Sequence, residues 1–216
     1  MKKVLSLFLS LCLVLSMAVT FTACGNEKKP EETDPEQSET KTAFGDKDIE
    51  TVMNELIAKA KELDTGEFGL NSMEDAEREM LLCNTKLTNE DCEQVLGLSE
   101  EEFGQYVEAA VENRLSNASF MTYSTVLVKL KDGADIKSVA DKIVAGTSPN
   151  RFGCLTPPCI LGGFSGQYVF FMAGEDVSCQ ALVDAVKALS ALEVTEITRE
   201  NTWSGGGLMG GGMLGG

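Results

Sequence analysis

Residues 125–130, with the sequence Thr-Val-Leu-Val-Lys-Leu, decide the fold of this chain. The β-branched and aliphatic side chains that dominate this run predict a strand. The turn at 131–133 leads into a helix, because apolar residues then recur at helical spacing at Ile136, Val139, Ala140, Ile143 and Val144. A second strand is predicted over 167–172, and the helix after it has its apolar face at Cys179, Leu182, Val183, Val186 and Leu189.

The first half of the chain contains further helices. Apolar residues between Ile49 and Leu63 recur at intervals of three and four and predict an amphipathic helix over 48–63. The segments 88–91 and 99–102 both have the capping-box pattern that begins a helix. Residues 80–83 fit either a buried helix or a short strand, and 194–198 fit a last short strand. N-terminal helices followed by a small, mostly antiparallel sheet predict an α+β fold, with helices covering one face of the sheet.

The N-terminus has the three parts of a secretory signal. Met1-Lys2-Lys3 is positively charged, residues 4–19 carry no charge, and the small residue Ala23 precedes a cleavage point. Thr22-Ala23-Cys24 also matches the lipoprotein signal, in which the cysteine takes a diacylglycerol thioether before cleavage. Phe21 departs from that pattern, where Leu is usual. An uncleaved anchor and a signal cut without lipidation stay open as alternatives, because the uncharged stretch approaches the ~20 residues that span a bilayer.

These patterns divide the chain into four parts. We predict a lipoprotein signal peptide over 1–23, then a lipidated Cys24 with a disordered tether over 24–47 that is rich in Glu, Lys, Thr and Pro. A single α+β domain is predicted over 48–203, and a disordered Gly/Met tail over 204–216. The two fatty acyl chains of a diacylated cysteine, palmitate for example, are enough for stable anchoring. The predicted location is therefore the extracytoplasmic face of the cell membrane.

The charge of the chain restricts its partners. The formal net charge is −16, and it becomes −18 when Lys2 and Lys3 leave with the signal. Such a chain repels nucleic acid and anionic lipid headgroups, so contact with the membrane is expected through the lipid alone. Most of the acidity lies between residues 48 and 112. It suits either a face for cations or a basic partner, or a solvated helix surface that keeps an exported protein soluble.

The order of features over 88–190 resembles a known family. It runs through a short acidic helix ending at Leu96-Gly97-Leu98, a Tyr106-Val107 segment, the strand and turn at 126–133 and the strand that starts at Gly166-Gln167. This is similar to a domain-of-unknown-function family of short lipoproteins from low-GC Gram-positive bacteria. The resemblance implies a fold and a cellular location but no activity. It also implies a hairpin of 105–114 with 121–131. The segment 154–159 and the Gly/Met tail depart from the family.

The candidate reactive groups are cysteines, since the chain has no histidine. Ser-His-Asp and Cys-His catalysis are thereby excluded, and no catalytic residue is assigned. Cys154 and Cys159 flank two prolines and suit a loop disulfide, which is allowed outside the cell. Free thiols, or a redox or metal pair that draws further ligands from Cys83 and Cys92, are the alternatives. Cys179 lies on the apolar stripe of a helix and is expected in the core.

A last motif is Gly162-Gly163-Phe164-Ser165-Gly166, which precedes a strand rather than opening a helix. A phosphate-binding loop is therefore disfavoured, and a flexible connection is expected. No metal or other cofactor is predicted. The sequence favours a non-enzymatic lipoprotein that binds a protein, peptide or small molecule near the membrane. A thiol/disulfide redox or metal-binding lipoprotein that uses Cys154 and Cys159 is the alternative.

Overall fold

The computed structural model describes residues 42–66, 70, 82–115, 123–152 and 156–199. The predicted signal peptide, Cys24, the tether as far as residue 41 and the Gly/Met tail lie outside these residues. Within these ranges the α-helices are α1 (Ile49–Leu63), α2 (Cys92–Leu96), α3 (Glu100–Tyr106), α4 (Ile136–Gly146) and α5 (Asp176–Leu189), and a 3-10 turn covers Pro149–Phe152. The strands are β1 (Leu82–Lys86), β2 (Val107–Leu115), β3 (Ser124–Leu130), β4 (Cys159–Ser165), β5 (Tyr168–Gly174) and β6 (Thr195–Thr198).

The strands form one sheet in the order β1-β2-β3-β5-β4-β6. Every neighbouring pair is antiparallel. The predicted α+β class is therefore confirmed, and the expected pairing of 105–114 with 121–131 is confirmed between Val107–Leu115 and Ser124–Leu130, whereas residues 105 and 106 end helix α3. Residues 82 and 83 belong to a strand, which settles the part of the ambiguous 80–83 segment that the structure describes.

Helices cover both faces of the sheet, so the prediction of a single covered face is wrong. Alternate residues of β5 belong to separate cores: Tyr168, Phe170 and Met172 lie in one, and Val169, Phe171 and Ala173 lie in the other. The first core contains the apolar faces of α1 and α5. The second contains those of α2 and α4, with the partly buried Phe103 of α3 against it. A continuous apolar run, as in β5, is typical of a strand buried on both faces.

The chain connections explain why two faces are covered. The link β3-α4-β4 and the link β5-α5-β6 each step over one strand in the same direction along the sheet. Because β3 and β5 are antiparallel, two crossovers of the same hand must place their helices on opposite faces. Crossovers between parallel strands of one sheet are right-handed in nearly all proteins. Helices α4 and α5 accordingly lie in opposite cores.

Strand β4 occupies the segment that the sequence marked as a flexible connection, so that prediction is wrong. Gly162 and Gly163 stand in the middle of the strand, where glycine usually weakens pairing. Their small size is the reason they are there. A Cβ atom on Gly162 would lie 2.3 Å from the carbonyl oxygen of Phe170, and one on Gly163 would lie 2.1 Å from that of Thr195. The glycines thus allow β5 and β6 to approach β4 closely.

The domain also begins earlier than residue 48. Ala43 and Phe44 are buried in the core of α1 and α5. The ring of Phe44 meets that of Tyr168 edge-on, with centroids 5.0 Å apart. The backbone carbonyl of Ala43 accepts a hydrogen bond from the amide of Ala191. The prediction that the disordered tether extends to residue 47 is therefore wrong, because these two apolar side chains pack on the domain.

The helix starts follow local hydrogen bonding. Asp48 caps α1 by accepting from the amides of Glu50 and Thr51. Ser99 and Glu102 form the predicted capping box at α3. The 88–91 motif behaves differently, because the Asp91 carboxylate accepts from the amide and hydroxyl of Thr88 and closes a turn one residue before α2.

Substitution of Gly163 by Ala should destabilise the domain by about 1–3 kcal/mol or more, because the added methyl group collides with the backbone of β6. Gly104→Ala is the matched control, since a Cβ there meets nothing within 4 Å. It should stabilise α3 by about 0.5–1 kcal/mol. Urea unfolding followed by circular dichroism measures both changes. Equal effects of the two substitutions would contradict the close packing of β4 and β6.

Glu102 should make the domain sensitive to acid. Hydrogen bonds from Lys142 and from Ser99 lower the pKa of Glu102 from its ordinary 4.5 to about 2. A lowered folded-state pKa stabilises the fold above pH 4.5, and this contribution is lost as the pH falls towards 2. In the Glu102→Gln variant the free energy of unfolding should therefore fall less steeply between pH 4.5 and pH 2. In the Glu101→Gln variant, which changes an exposed side chain, it should fall more steeply than in Glu102→Gln. Denaturant titrations at a series of pH values provide the measurement.

Candidate functional site

The structure describes one member of the predicted cysteine pair, Cys159. Cys154 lies outside the described residues, so a bond between it and Cys159 is neither seen nor contradicted. Cys159 begins β4, is partly buried and packs against the core of α1 and α5. Its neighbour on that face is Cys179, in the first turns of α5 and fully buried as expected. The four described cysteines carry free thiols.

Cys83 and Cys92 do not join Cys159, which contradicts their suggested role as additional metal ligands. Cys83 is exposed on β1, and four strand spacings separate β1 from β4, about 19 Å at ~4.8 Å per strand. Cys92 is buried in α2, whose apolar side chains belong to the opposite core, and its thiol donates to the carbonyl of Asn89. Within the described ranges, no group of three or more His, Cys, Asp or Glu side chains is arranged to hold a metal ion.

Cys159 and Cys179 are close enough to change each other's chemistry. The Cys179 Sγ lies 3.4 Å from the carbonyl oxygen of Met172 and 3.8 Å from that of Cys159. A hydrogen bond from the Cys179 thiol lowers the pKa of Cys159, against the opposing effects of burial and of Asp176. The same contact, together with burial, raises the pKa of Cys179. The more exposed Cys159 is thus the more acidic of the two thiols.

A buried carboxylate anchors the same end of α5. Asp64, which follows α1, is only 3% exposed. One of its oxygens accepts from the hydroxyl of Ser178 at 2.6 Å and from the amide of Leu70 at 2.7 Å. The other oxygen accepts from the amide of Gly66 at 2.8 Å. Asp64 therefore ties the end of α1 to the start of α5, one residue before Cys179.

A buried ion pair lies on the opposite face of the sheet. Arg151 pairs with Glu112 of β2, and their side chains are 8% and 3% exposed. Ser124 donates to the Glu112 carboxylate at 2.6 Å, and the guanidinium also reaches the Thr147 hydroxyl at 3.3 Å. Burial lowers the pKa of Arg151, while the Glu112 carboxylate opposes that change. Through these bonds the paired side chains of Arg151 and Glu112 join the 3-10 turn to the sheet.

A chain of neutral polar side chains runs from the core to the surface beside α1. We call Asn54, Asn84, Asn113, Tyr123 and Thr125 the amide network. The Thr125 hydroxyl donates to Tyr123 at 3.1 Å, and Tyr123 donates to Asn113 at 3.1 Å. The Asn113 amide donates to Asn84 at 2.7 Å, and Asn84 donates to Asn54 at 2.7 Å. Thr125 and Asn113 are buried, whereas Asn84 and Asn54 are exposed.

All the bonds in the amide network point the same way. Each group accepts from the group behind it and donates to the group ahead, so each bond polarises the next. The last amide belongs to Asn54, and no residue in the described part of the chain accepts from its N–H groups. The network therefore presents polarised donors to solvent, which suits a ligand with carbonyl or hydroxyl oxygen acceptors.

Sequence reasoning did not find the amide network, the buried ion pair or the contact between Cys159 and Cys179. Most of their members are far apart in the chain and come together only through strand register and through the packing of helices and the 3-10 turn on the sheet. Asn84 and Asn113, for example, are partners across β1 and β2. The available signal was polarity inside predicted strands. Asn113 and Thr125 interrupt otherwise apolar positions, and such buried polar groups require partners.

The chain matches no protein-family model, and no curated protein or solved structure is significantly similar to it. The resemblance over 88–190 to a lipoprotein family therefore stays a prediction. Among the helices that the structure describes, none is both long and apolar enough to cross a membrane.

Glu112→Gln should destabilise the domain by about 3–5 kcal/mol, because it leaves the buried Arg151 charge without a counter-ion. Glu108→Gln on the same strand removes the partly exposed pair with Lys129 and should cost less than about 1 kcal/mol. Guanidinium unfolding of the two variants measures the difference. Losses of similar size would show that the Arg151 pair is no more important than a surface pair.

Proposed function

We propose that this chain is an extracytoplasmic lipoprotein, anchored through a diacylated Cys24, whose domain binds an extended segment of a partner protein. Support for the anchor comes from the uncharged stretch 4–24 that ends at Cys24 and from the start of packed structure near Ala43. The intervening segment 25–41 could reach at most about 60 Å when fully extended. The domain can therefore act at a distance from the lipid surface, which its acidic charge disfavours.

The observation that carries the binding proposal is the exposed end of the amide network. Asn54 and Asn84 are held by hydrogen bonds that continue into the core, so binding there loses little side-chain entropy. Their donors match the carbonyl oxygens of a peptide. The adjacent β1 is the last strand of the sheet in the described part of the chain, and peptides commonly add to such edges.

The state of the buried carboxylates favours binding over catalysis. Asp64 accepts hydrogen bonds from Ser178 and from two backbone amides. Glu112 is paired with Arg151 and also accepts from Ser124. Both groups are therefore used in holding elements of the fold together. A carboxylate that serves as a general acid or base must instead be able to exchange its proton with substrate.

The thiol alternative has support at Cys159 alone. Cys159 is partly exposed, and the Cys179 thiol lies 3.8 Å from its carbonyl oxygen in the same core. The metal form of the alternative has less support, because Cys83 and Cys92 lie elsewhere in the fold. Redox chemistry at Cys159 is compatible with binding at Asn54. Cys159 begins β4, whereas Asn54 is bonded to Asn84 of β1, and these two strands lie in different parts of the sheet.

The anchor is tested by mass spectrometry of the chain purified from membranes. We expect a mature N-terminus at Cys24 carrying the diacylglycerol thioether, and extraction only with detergent. Cys24→Ser should remove the modification, because an alcohol does not replace the thiol, and should leave an uncleaved precursor. An unmodified thiol at position 24 of the mature wild-type chain would refute the anchor.

The binding surface is tested with a photo-crosslinking residue in the full chain in its own membrane. Ala58 is exposed one helical turn after Asn54 and on the same side of α1, so crosslinks to a discrete partner are expected from it. A crosslinker at the exposed Lys137 of α4 should give none, because α4 covers the opposite face.

Asn54→Ala should abolish the crosslink from Ala58, since it removes the terminal donors of the network. Gln180→Ala, which removes an exposed amide of α5, is the matched control and should leave the crosslink intact. Crosslinks that persist in the Asn54→Ala chain, or that form equally from Lys137, would contradict binding at the amide network. Peptide sequencing of the crosslink distinguishes a protein partner from another copy of this chain.

A further inference from the structure

Two thiols of unequal exposure meet where β4 begins and α5 starts. Cys159 is partly buried at the end of its strand, within reach of solvent. Cys179 is fully buried behind it, with its Sγ directed at the carbonyl oxygens of Cys159 and Met172. Both are free thiols. An incoming reagent can therefore reach the first sulfur but not the second.

The surroundings of the two thiols hold them in place. Cys179 belongs to a helix whose start is fixed by the hydrogen bond from Ser178 to Asp64. Cys159 belongs to a strand that is paired with β5 along its whole length, beginning opposite Gly174. The Cys179 Sγ lies only 3.8 Å from the carbonyl oxygen of Cys159, so a disulfide between these two residues requires little chain movement.

We propose that Cys159 and Cys179 are a reactive dithiol that reduces small aliphatic disulfides and is converted to a Cys159–Cys179 disulfide. In this reaction Cys159 is the attacking sulfur and Cys179 is the resolving sulfur. The reaction uses neither Cys154 nor the lipid on Cys24, so it does not depend on the proposed anchor or binding partner. The extracytoplasmic space is an environment in which such disulfides persist.

The atoms and electrons balance in two exchange steps. The Cys159 thiolate attacks one sulfur of the reagent, its S–S bond breaks, and the released thiolate takes up the proton that Cys159 lost. Cys179 then gives its proton to the second leaving thiolate as its sulfur attacks the Cys159 Sγ, which frees that thiol. Two protein thiols are oxidised to one disulfide, and one reagent disulfide is reduced to two thiols.

The ionisation of the pair supports this order of attack. The hydrogen bond from Cys179 lowers the pKa of Cys159, which increases the thiolate fraction at the accessible sulfur. Cys179 has a raised pKa through the same contact and through burial. It therefore stays protonated until the mixed disulfide has formed next to it.

Charge near Cys159 selects the reagent. The Asp176 carboxylate acts on Cys159 directly and opposes its ionisation. The chain as a whole is strongly acidic, with a net charge of −16. Neutral and cationic disulfides should therefore react faster than anionic ones, because like charges slow the encounter. Cystamine is the cationic probe and oxidised glutathione is the anionic probe.

The experiment uses the full chain, purified in detergent, reduced and freed of reductant. Cystamine is added, the reaction is stopped with acid and N-ethylmaleimide, and non-reducing peptide mapping identifies the state of each cysteine. We expect a peptide linked through Cys159 and Cys179, preceded in time by a cystamine adduct on Cys159. The adduct on Cys159 should form several-fold more slowly with oxidised glutathione than with cystamine. Asp176→Asn should bring the two rates closer together.

Variants separate the roles of the cysteines. Cys179→Ala should accumulate the cystamine adduct on Cys159, because no resolving thiol remains, and Cys159→Ser should leave Cys179 unmodified. Cys154→Ser is the matched control and should form the link as the unaltered chain does. A melting curve shows whether Cys179→Ala is folded. If it is not, the order of adduct and link in the unaltered chain decides the same point.

Three results would overturn the proposal. One is a link between Cys154 and Cys159 in place of the expected one. Another is a stable adduct on Cys159 in the unaltered chain with Cys179 still reduced. The third is modification of the exposed Cys83 alone, which would show that Cys159 is an ordinary packed thiol.

Discussion

Across the pair of strands β3 and β5, Val126 faces Phe171 in one core and Leu127 faces Phe170 in the other. Full burial of each such side chain stabilises the fold by about 1.5–3 kcal/mol. A slip of one residue would exchange the two faces of a strand, so side chains shaped for one core would enter the other. The opposite directions of these two strands set the faces on which α4 and α5 lie, because both helices connect strands of this central pair to the strands beyond it.

Outside the central pair, the sheet depends on small residues and polar partners. The glycines of β4 allow the backbones of β5 and β6 to come close. At the other end of the sheet, β1 and β2 are joined by amide side chains as well as by backbone bonds. Buried polar groups there are satisfied by one another, which avoids the ~1–3 kcal/mol that an unpaired buried group costs.

The two proposed activities occupy different regions of this frame. The amide network opens beside α1 and β1, where neutral donors are oriented by a chain of bonds from the core. The thiol pair lies where α5 begins, next to the carboxylate that fixes that helix. Each site consists of side chains from elements that are distant in sequence. Rigid packing beneath both sites keeps their geometry with little loss of entropy on binding or reaction.

The sequence by itself determined the helices α1, α4 and α5, the strands β3 and β5 and the α+β class, since these follow from apolar periodicity. Only the tertiary structure decided that β4 is a strand despite its glycines, that helices cover both faces, and that Ala43 and Phe44 belong to the domain. It also decided that Cys159 meets Cys179. The physical reason is the same in each case: close backbone approach, crossover hand and side-chain contact depend on residues far apart in the chain, and local patterns carry no record of them.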